Sequence, residues 1–360
     1  MLPGDIGAEL ARVITAAVAD GQLPPAAAGM ASAAGTWRPP PGAAPGCYSS
    51  SLPFRLAAYC GRGAGQIAAL LAAGLRGQRW ISDAAVTGAG YLTVTVTPGT
   101  LAGLAVRVSQ AGPHCARSDA LRGRTFRAPW DADLAAAATW AQAHRRLTAA
   151  VTGRLARAAG AEVFFYQDLK RMAGTTAAGQ PLPGPAGPAM AFAGADAVRY
   201  ALARIPAGRA VMIDARRSVK HVLGNPFYAV SFAHADASAT LSRAAGLGLS
   251  RGEPAGFRPR SLGCPPELIL LAAISWLPER VAGAARRGQP HELTRYTEEL
   301  AGAYLDVRER CPALPSGGRD APRDPAAASA RLWLADAARA ALAAALGLLG
   351  VCPPGPPPDL

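Results

Sequence analysis

The densest grouping of chemically useful side chains runs from Asn225 to Ala235, where Phe227, Tyr228, Ser231, Phe232 and His234 share three helical turns. Aromatic faces stack on planar rings, and an imidazole donates, accepts or takes up a proton near neutral pH. Spacing decides which of them face outward. Phe227, Val230, His234, Ala237 and Leu241 recur at helical intervals as an apolar stripe, which reads His234 and Phe232 as core-facing residues. Tyr228 lies off that stripe and is the candidate contact. No second grouping looks catalytic. The histidines His114, His144, His221, His234 and His291 include no pair at ligand spacing, and there is no Gly-rich phosphate loop or Gly-x-Ser-x-Gly turn. The six cysteines include no Cys-x-x-Cys pair. No catalytic residue, metal ligand or cofactor is assigned.

Charge points to a partner. The chain of 360 residues has a net charge of +13, and all but two of its 37 basic residues are arginine, the exceptions being Lys170 and Lys220. Guanidinium groups match phosphate and stack on bases, so a polyanion is the expected partner class. Arg122, Arg124 and Arg127, then Arg145 and Arg146, Arg216 and Arg217, and Arg286 and Arg287 cluster, either as solvated faces or as phosphate contacts. The N-terminal segment, with Asp5 and Glu9, does not read as a signal peptide, and the apolar run Ala340–Cys352 is short for a bilayer span. The expectation is a soluble cytoplasmic protein with no membrane or metal partner.

The elements that must hold these residues fall into three stretches. Residues 1–108 read as an α+β module: a helix over 5–20, a Pro/Ala/Gly-rich loop over 22–46, a helix from Gly65, strands Ile81–Val86 and Tyr91–Val96, and a helix after Pro98. Residues 109–190 read as a short degenerate linker region, irregular and basic to 130, with one long helix from Asp131 to about Gly160 and a short strand at Glu162–Tyr166. Residues 191–360 read as an all-α helical bundle with segments 194–204, 213–222, 225–245, 266–277, 278–287, 290–310 and 325–349, then a Pro-rich tail. Pro278 divides two of these helices.

Within that bundle the order of motifs resembles arginyl-tRNA synthetases. Gly194-Ala195-Asp196-Ala197-Val198-Arg199-Tyr200 with Ala201-Leu202-Ala203-Arg204 is similar to the Asp-Ala-Leu-Arg block of the DALR anticodon-binding domain. Asn225-Pro226-Phe227-Tyr228 to Phe232-Ala233-His234-Ala235 resembles the family's Asn-Pro-x-Tyr…Tyr-Ala-His-Ala signature. Trp276-Leu277-Pro278-Glu279, Pro290-His291-Glu292-Leu293-Thr294-Arg295-Tyr296, Ala303-Tyr304 and Arg331-Leu332-Trp333-Leu334 continue it in order. The first 108 residues resemble the family's N-terminal additional domain, above all at Gly90-Tyr91-Leu92-Thr93-Val94.

The resemblance implies tRNA as partner, an arginine acceptor among the candidates, with contacts at Tyr91, Thr93, Tyr228, Phe232, His234, Tyr296, Tyr304 and Arg331. Tyr91 reads either as a strand aromatic packed on its helix or as a base-stacking ring. Tyr296 and Tyr304 lie on the face of Leu293 and Leu300, where core packing is the favoured reading. Thr93 stands where the family has an Asn, which removes a two-sided amide. The family's His-x-Gly-His motif is absent from this sequence. Gly112–Asp119 could be a remnant of the segment around that motif's second His, and Lys170–Thr175 a relic of the family's mobile lysine loop, with accident as the alternative for both. The implied function is tRNA binding without aminoacylation. Open alternatives are residual ligase chemistry, an enzyme acting on charged tRNA, and a protein module that pairs with a synthetase.

Overall fold

Proline and capping side chains mark where most helices of the computed structural model begin. It describes residues 3–35, 37–166, 184–314 and 324–353. In chain order the elements are α1 (Pro3–Ala19), β1 (Cys47–Ser50), α2 (Leu52–Cys60), α3 (Ala64–Leu75), β2 (Ile81–Thr87), β3 (Tyr91–Val96), α4 (Pro98–Ala102), α5 (Leu104–Ala111), β4 (Thr125–Pro129) and α6 (Trp140–Ala158). There follow β5 (Glu162–Tyr166), α7 (Ala186–Ala193), α8 (Ala195–Ala203), α9 (Ala215–Ser218), α10 (Pro226–Gly246), α11 (Pro265–Ser275), α12 (Leu277–Arg287), α13 (Pro290–Arg310) and α14 (Pro325–Leu349). Contacts divide the chain into two units, residues 1–105 with 253–276, and residues 106–252 with 277–360.

The first unit is α+β. Its antiparallel sheet runs β1-β3-β2, with β3 central. Alternation along β3 buries Leu92, Val94 and Val96 and leaves Tyr91, Thr93 and Thr95 on the open face. Ile6, Leu10 and Ile14 of α1 and Ile67, Leu71 and Leu75 of α3 fill the core. Gly90, in the β2–β3 turn, has φ +133°, and a Cβ there would lie 2.8 Å from Ala64 Cβ and 2.9 Å from Gly65 N. Only glycine lets that turn approach the start of α3. Periodicity alone groups α11 with the later helices, yet it belongs to this unit. The buried Tyr48 hydroxyl donates to Ser275 Oγ at 2.8 Å, and its ring meets Trp276 at 5.1 Å. Burial pushes the Tyr48 phenol up to about 12, so it stays a donor.

The second unit contains a strand that hydropathy does not reveal. Residues 109–130 read as irregular, but Thr125–Pro129 forms β4, paired in parallel with β5 across the crossover helix α6. The helix expected from Asp131 starts only at Trp140. Asp131 Oδ1 accepts from Ala132 N at 2.7 Å and Asp133 Oδ1 from Ala136 N at 3.1 Å, local bonds that compete with helix. Thr139 then caps α6 by accepting from Gln142 N. The segment 213–222 is helical only over Ala215–Ser218.

α10, α13 and α14 pack against one another, with Leu293, Leu300, Leu332, Leu342, Leu346 and Leu349 buried. α14 is long and apolar enough to cross a bilayer, longer than the run from Ala340 suggests, and 78% of its apolar window is buried within the protein. Its buried Asp336 accepts from Arg339, Arg251 and Ser109, and the Arg251 guanidinium lies 4.5 Å over Trp333.

In α12, burial pushes the Glu279 carboxyl up from 4.5 to about 7, against the pull of Arg286. A raised carboxyl contributes stability that is fully present below the unfolded value and is lost as pH rises through about 7. Glu279→Gln is therefore expected to raise Tm at pH 8 and to leave it nearly unchanged at pH 4. Equal shifts at both values would show that this titration does not limit stability.

Candidate nucleic-acid interface

α10 starts as its sequence requires. Asn225 Oδ1 accepts from Phe227 N at 3.2 Å, and its Nδ2 donates to Ser218 O and Lys220 O, which ties the preceding loop to the helix. That tie positions His221. Its ring stacks on Tyr228 at 5.3 Å and 11°, and Tyr228 stacks on Phe232 at 5.9 Å and 23°. The Arg308 guanidinium lies 5.7 Å from the Phe232 ring. The result is a ladder of four π-faces, His221–Tyr228–Phe232–Arg308. His221 is exposed and Tyr228 and Phe232 are half-buried.

A buried acid holds the ladder's far end. Asp236 is 8% exposed; its Oδ1 accepts from Arg308 Nε at 2.9 Å and its Oδ2 from the Tyr304 hydroxyl at 2.9 Å. Arg243 adds a longer pairing at 3.8 Å. Tyr228, Phe232 and Asp236 are spaced i, i+4, i+8, so one stripe of α10 carries two stacking rings and the anchor for a third group from α13. Burial, then the Asp236 carboxylate, pushes the Tyr304 phenol well above its usual value. Tyr304 is thus a buried donor, not an exposed ring.

The remaining sequence-derived residues are placed differently. His234 is buried on α10, as its stripe predicts. Tyr296 is buried with Arg280 over its ring at 5.9 Å, and burial raises its phenol far above the usual range. Arg331 donates to Pro312 O at 3.1 Å. On the first unit's sheet, Tyr91 is 46% exposed and meets Phe54 edge-on at 4.9 Å, so it is both packed and accessible. Thr93 shares a hydrogen bond with Thr87, Oγ1 to Oγ1 at 2.8 Å. Tyr228 and Phe232 come together, as do Tyr91 and Thr93 on one strand face. Asp236, Arg308 and His221 were not singled out from sequence. Only Asp236 had a legible signal, its i+8 spacing from Tyr228.

Beside the start of α10 lies a cavity of about 710 Å³, lined by Arg204, Arg217, Lys220, Asn225 and Phe227 among others. Arg204 is held by Glu298, Nε to Oε1 at 2.6 Å, which raises its pKa. The Gly112–Asp119 stretch lines a separate cavity of about 1200 Å³ with Arg154, Arg157 and Trp130. Lys170–Thr175 lies outside the described residues.

The long helices of the second unit bury apolar stripes and present a ladder of aromatic faces beside arginines. Residues 234–355 match the DALR anticodon binding domain. The C-terminal part of the chain is 40% identical over 163 residues to an arginine–tRNA ligase of Micrococcus luteus, covering 45% of this chain and 29% of that one. It is 37% identical over 161 residues to that of Kineococcus radiotolerans, 45% and 28%. The arginyl-tRNA synthetase of Thermus thermophilus aligns with a TM-score of 0.36 and 18% identity over 64% of this chain and 40% of that one. The chain spans less than a third of the length of the curated relatives it matches. The C-terminal region is thus similar to the DALR anticodon binding domain and to the matching part of arginine–tRNA ligases.

Proposed function

We propose that this protein binds tRNA through its DALR-type region, in the cytoplasm, without aminoacylating it. The observation that carries the reading is the His221–Tyr228–Phe232–Arg308 ladder on the start of α10 and on α13. Stacked rings offer π-faces to the unpaired bases of a loop, and arginines supply phosphate contacts. The net charge of +13 supports a polyanionic ligand. The absence of a His-x-Gly-His motif from the sequence supports binding without ATP chemistry.

A filter-binding titration against a tRNA pool tests the proposal. Affinity is expected to be measurable at low salt and to fall steeply as salt rises, because bound phosphates release counterions. No retention at low salt, or tRNA-, arginine- and ATP-dependent pyrophosphate release, would overturn one half of it or the other.

A further inference from the structure

The β4–α6–β5 unit carries a second surface. Gly153 of α6 approaches the sheet so closely that a Cβ there would lie 2.3 Å from Ala128 Cβ and 3.3 Å from the Phe165 ring. Ala128, Val163 and Phe165 therefore face the helix. Alternation turns Phe164 and Tyr166 to the opposite face, where they are 55% and 45% exposed. The parallel register sets Arg127, itself exposed, beside Phe164. Parallel sheets are ordinarily covered on both faces. Here one face keeps two large rings in solvent, with Arg127 of β4 opposite Phe164 and Glu162 at the start of the same row.

The geometry points to a single strand of RNA as the occupant of this face, a contact beyond the anticodon-type ladder. Rings at i and i+2 on a strand stand about 6.6 Å apart along it. Bases stacked in a duplex are roughly 3.4 Å apart. The two rings thus suit bases splayed from an extended strand, with Arg127 beside them to meet the backbone phosphate. A second copy of this chain is disfavoured as the occupant, because each copy carries a net charge of +13.

The test uses the full chain and a short fluorescein-labelled oligouridylate, read by anisotropy at low salt. Phe164→Ala with Tyr166→Ala is expected to weaken binding at least tenfold. Phe164→Leu with Tyr166→Leu, which keeps apolar bulk but removes the π-faces, is expected to weaken it as much. Arg127→Ala should lessen the salt dependence, and Tyr59→Ala, which removes an exposed ring outside both surfaces, should leave oligouridylate binding unchanged. Circular dichroism checks that each variant is folded. The proposal is overturned by any of four results: no binding of the wild-type chain, wild-type affinity in the leucine pair, an equal loss in Tyr59→Ala, or a change of oligomeric state in the aromatic variants with RNA binding intact. If tRNA is not retained while oligouridylate binding still depends on Phe164 and Tyr166, only the anticodon-type reading falls.

Discussion

Replacing Tyr228 and Phe232 together with alanine is expected to weaken tRNA binding by roughly 5- to 140-fold, the equivalent of about 1–3 kcal/mol for one stacked base. The two rings are consecutive rungs of one stack, 5.9 Å apart, so a base placed on the ladder loses its platform when both are removed. Neither ring is fully buried, which separates this loss from unfolding. Tyr228→Phe keeps the π-face and is expected to stay close to wild type. Filter binding at low salt checks both variants, with thermal melts as the control. An alanine pair that binds tRNA as tightly as the parent would remove the ladder from the interface.

The second large effect is on stability. Asp236→Ala is expected to cost about 3 kcal/mol, because it leaves the buried Tyr304 hydroxyl without its acceptor and Arg308 without its counter-charge. For a unit of this size that is a fall in Tm of about 6–12 °C. Arg308 is 49% exposed and can rehydrate, which keeps the figure below that of a wholly buried pair. Asp236→Asn retains an acceptor oxygen for Tyr304 and is expected to lose about half as much. The variant also releases Arg308 from the end of the ladder, so tRNA affinity should drop in a fully folded sample at low temperature. A Tm within 1–2 °C of the parent, roughly, would mean that Asp236 does not anchor α10 to α13.

Of the fold, the parts encoded within one or two helical turns were legible. Asn225-Pro226 starts α10 where cap chemistry requires, and the stripe that buries His234 follows from spacing alone. The alternation of Tyr91–Val96 sorts Leu92 and Val94 inward and Tyr91 and Thr93 outward. The motif order across the C-terminal helices named the anticodon-binding region that residues 234–355 match. Local signals compete poorly where a polar side chain satisfies the backbone outside a helix. For that reason Asp131 and Asp133 delay α6 to Trp140, and the arginine-rich strand β4 passes for loop until β5 pairs with it.

Only tertiary structure decided the composition of the candidate site. Phe232 reads as core by helical position, yet α13 supplies Arg308 against its face and the loop before α10 supplies His221 at the other end of the stack. Asp236 becomes an anchor, and Tyr304 a buried donor, because α10 and α13 pack side by side. The sequence by itself determined where the proline-led helices α10 and α13 begin, which stripes are apolar and what kind of partner so much arginine suits. What anchors the stack depends on Tyr304 and Arg308, 68 and 72 positions from Asp236, and spacing along a chain carries no term for that distance. Packing of the apolar stripes sets it.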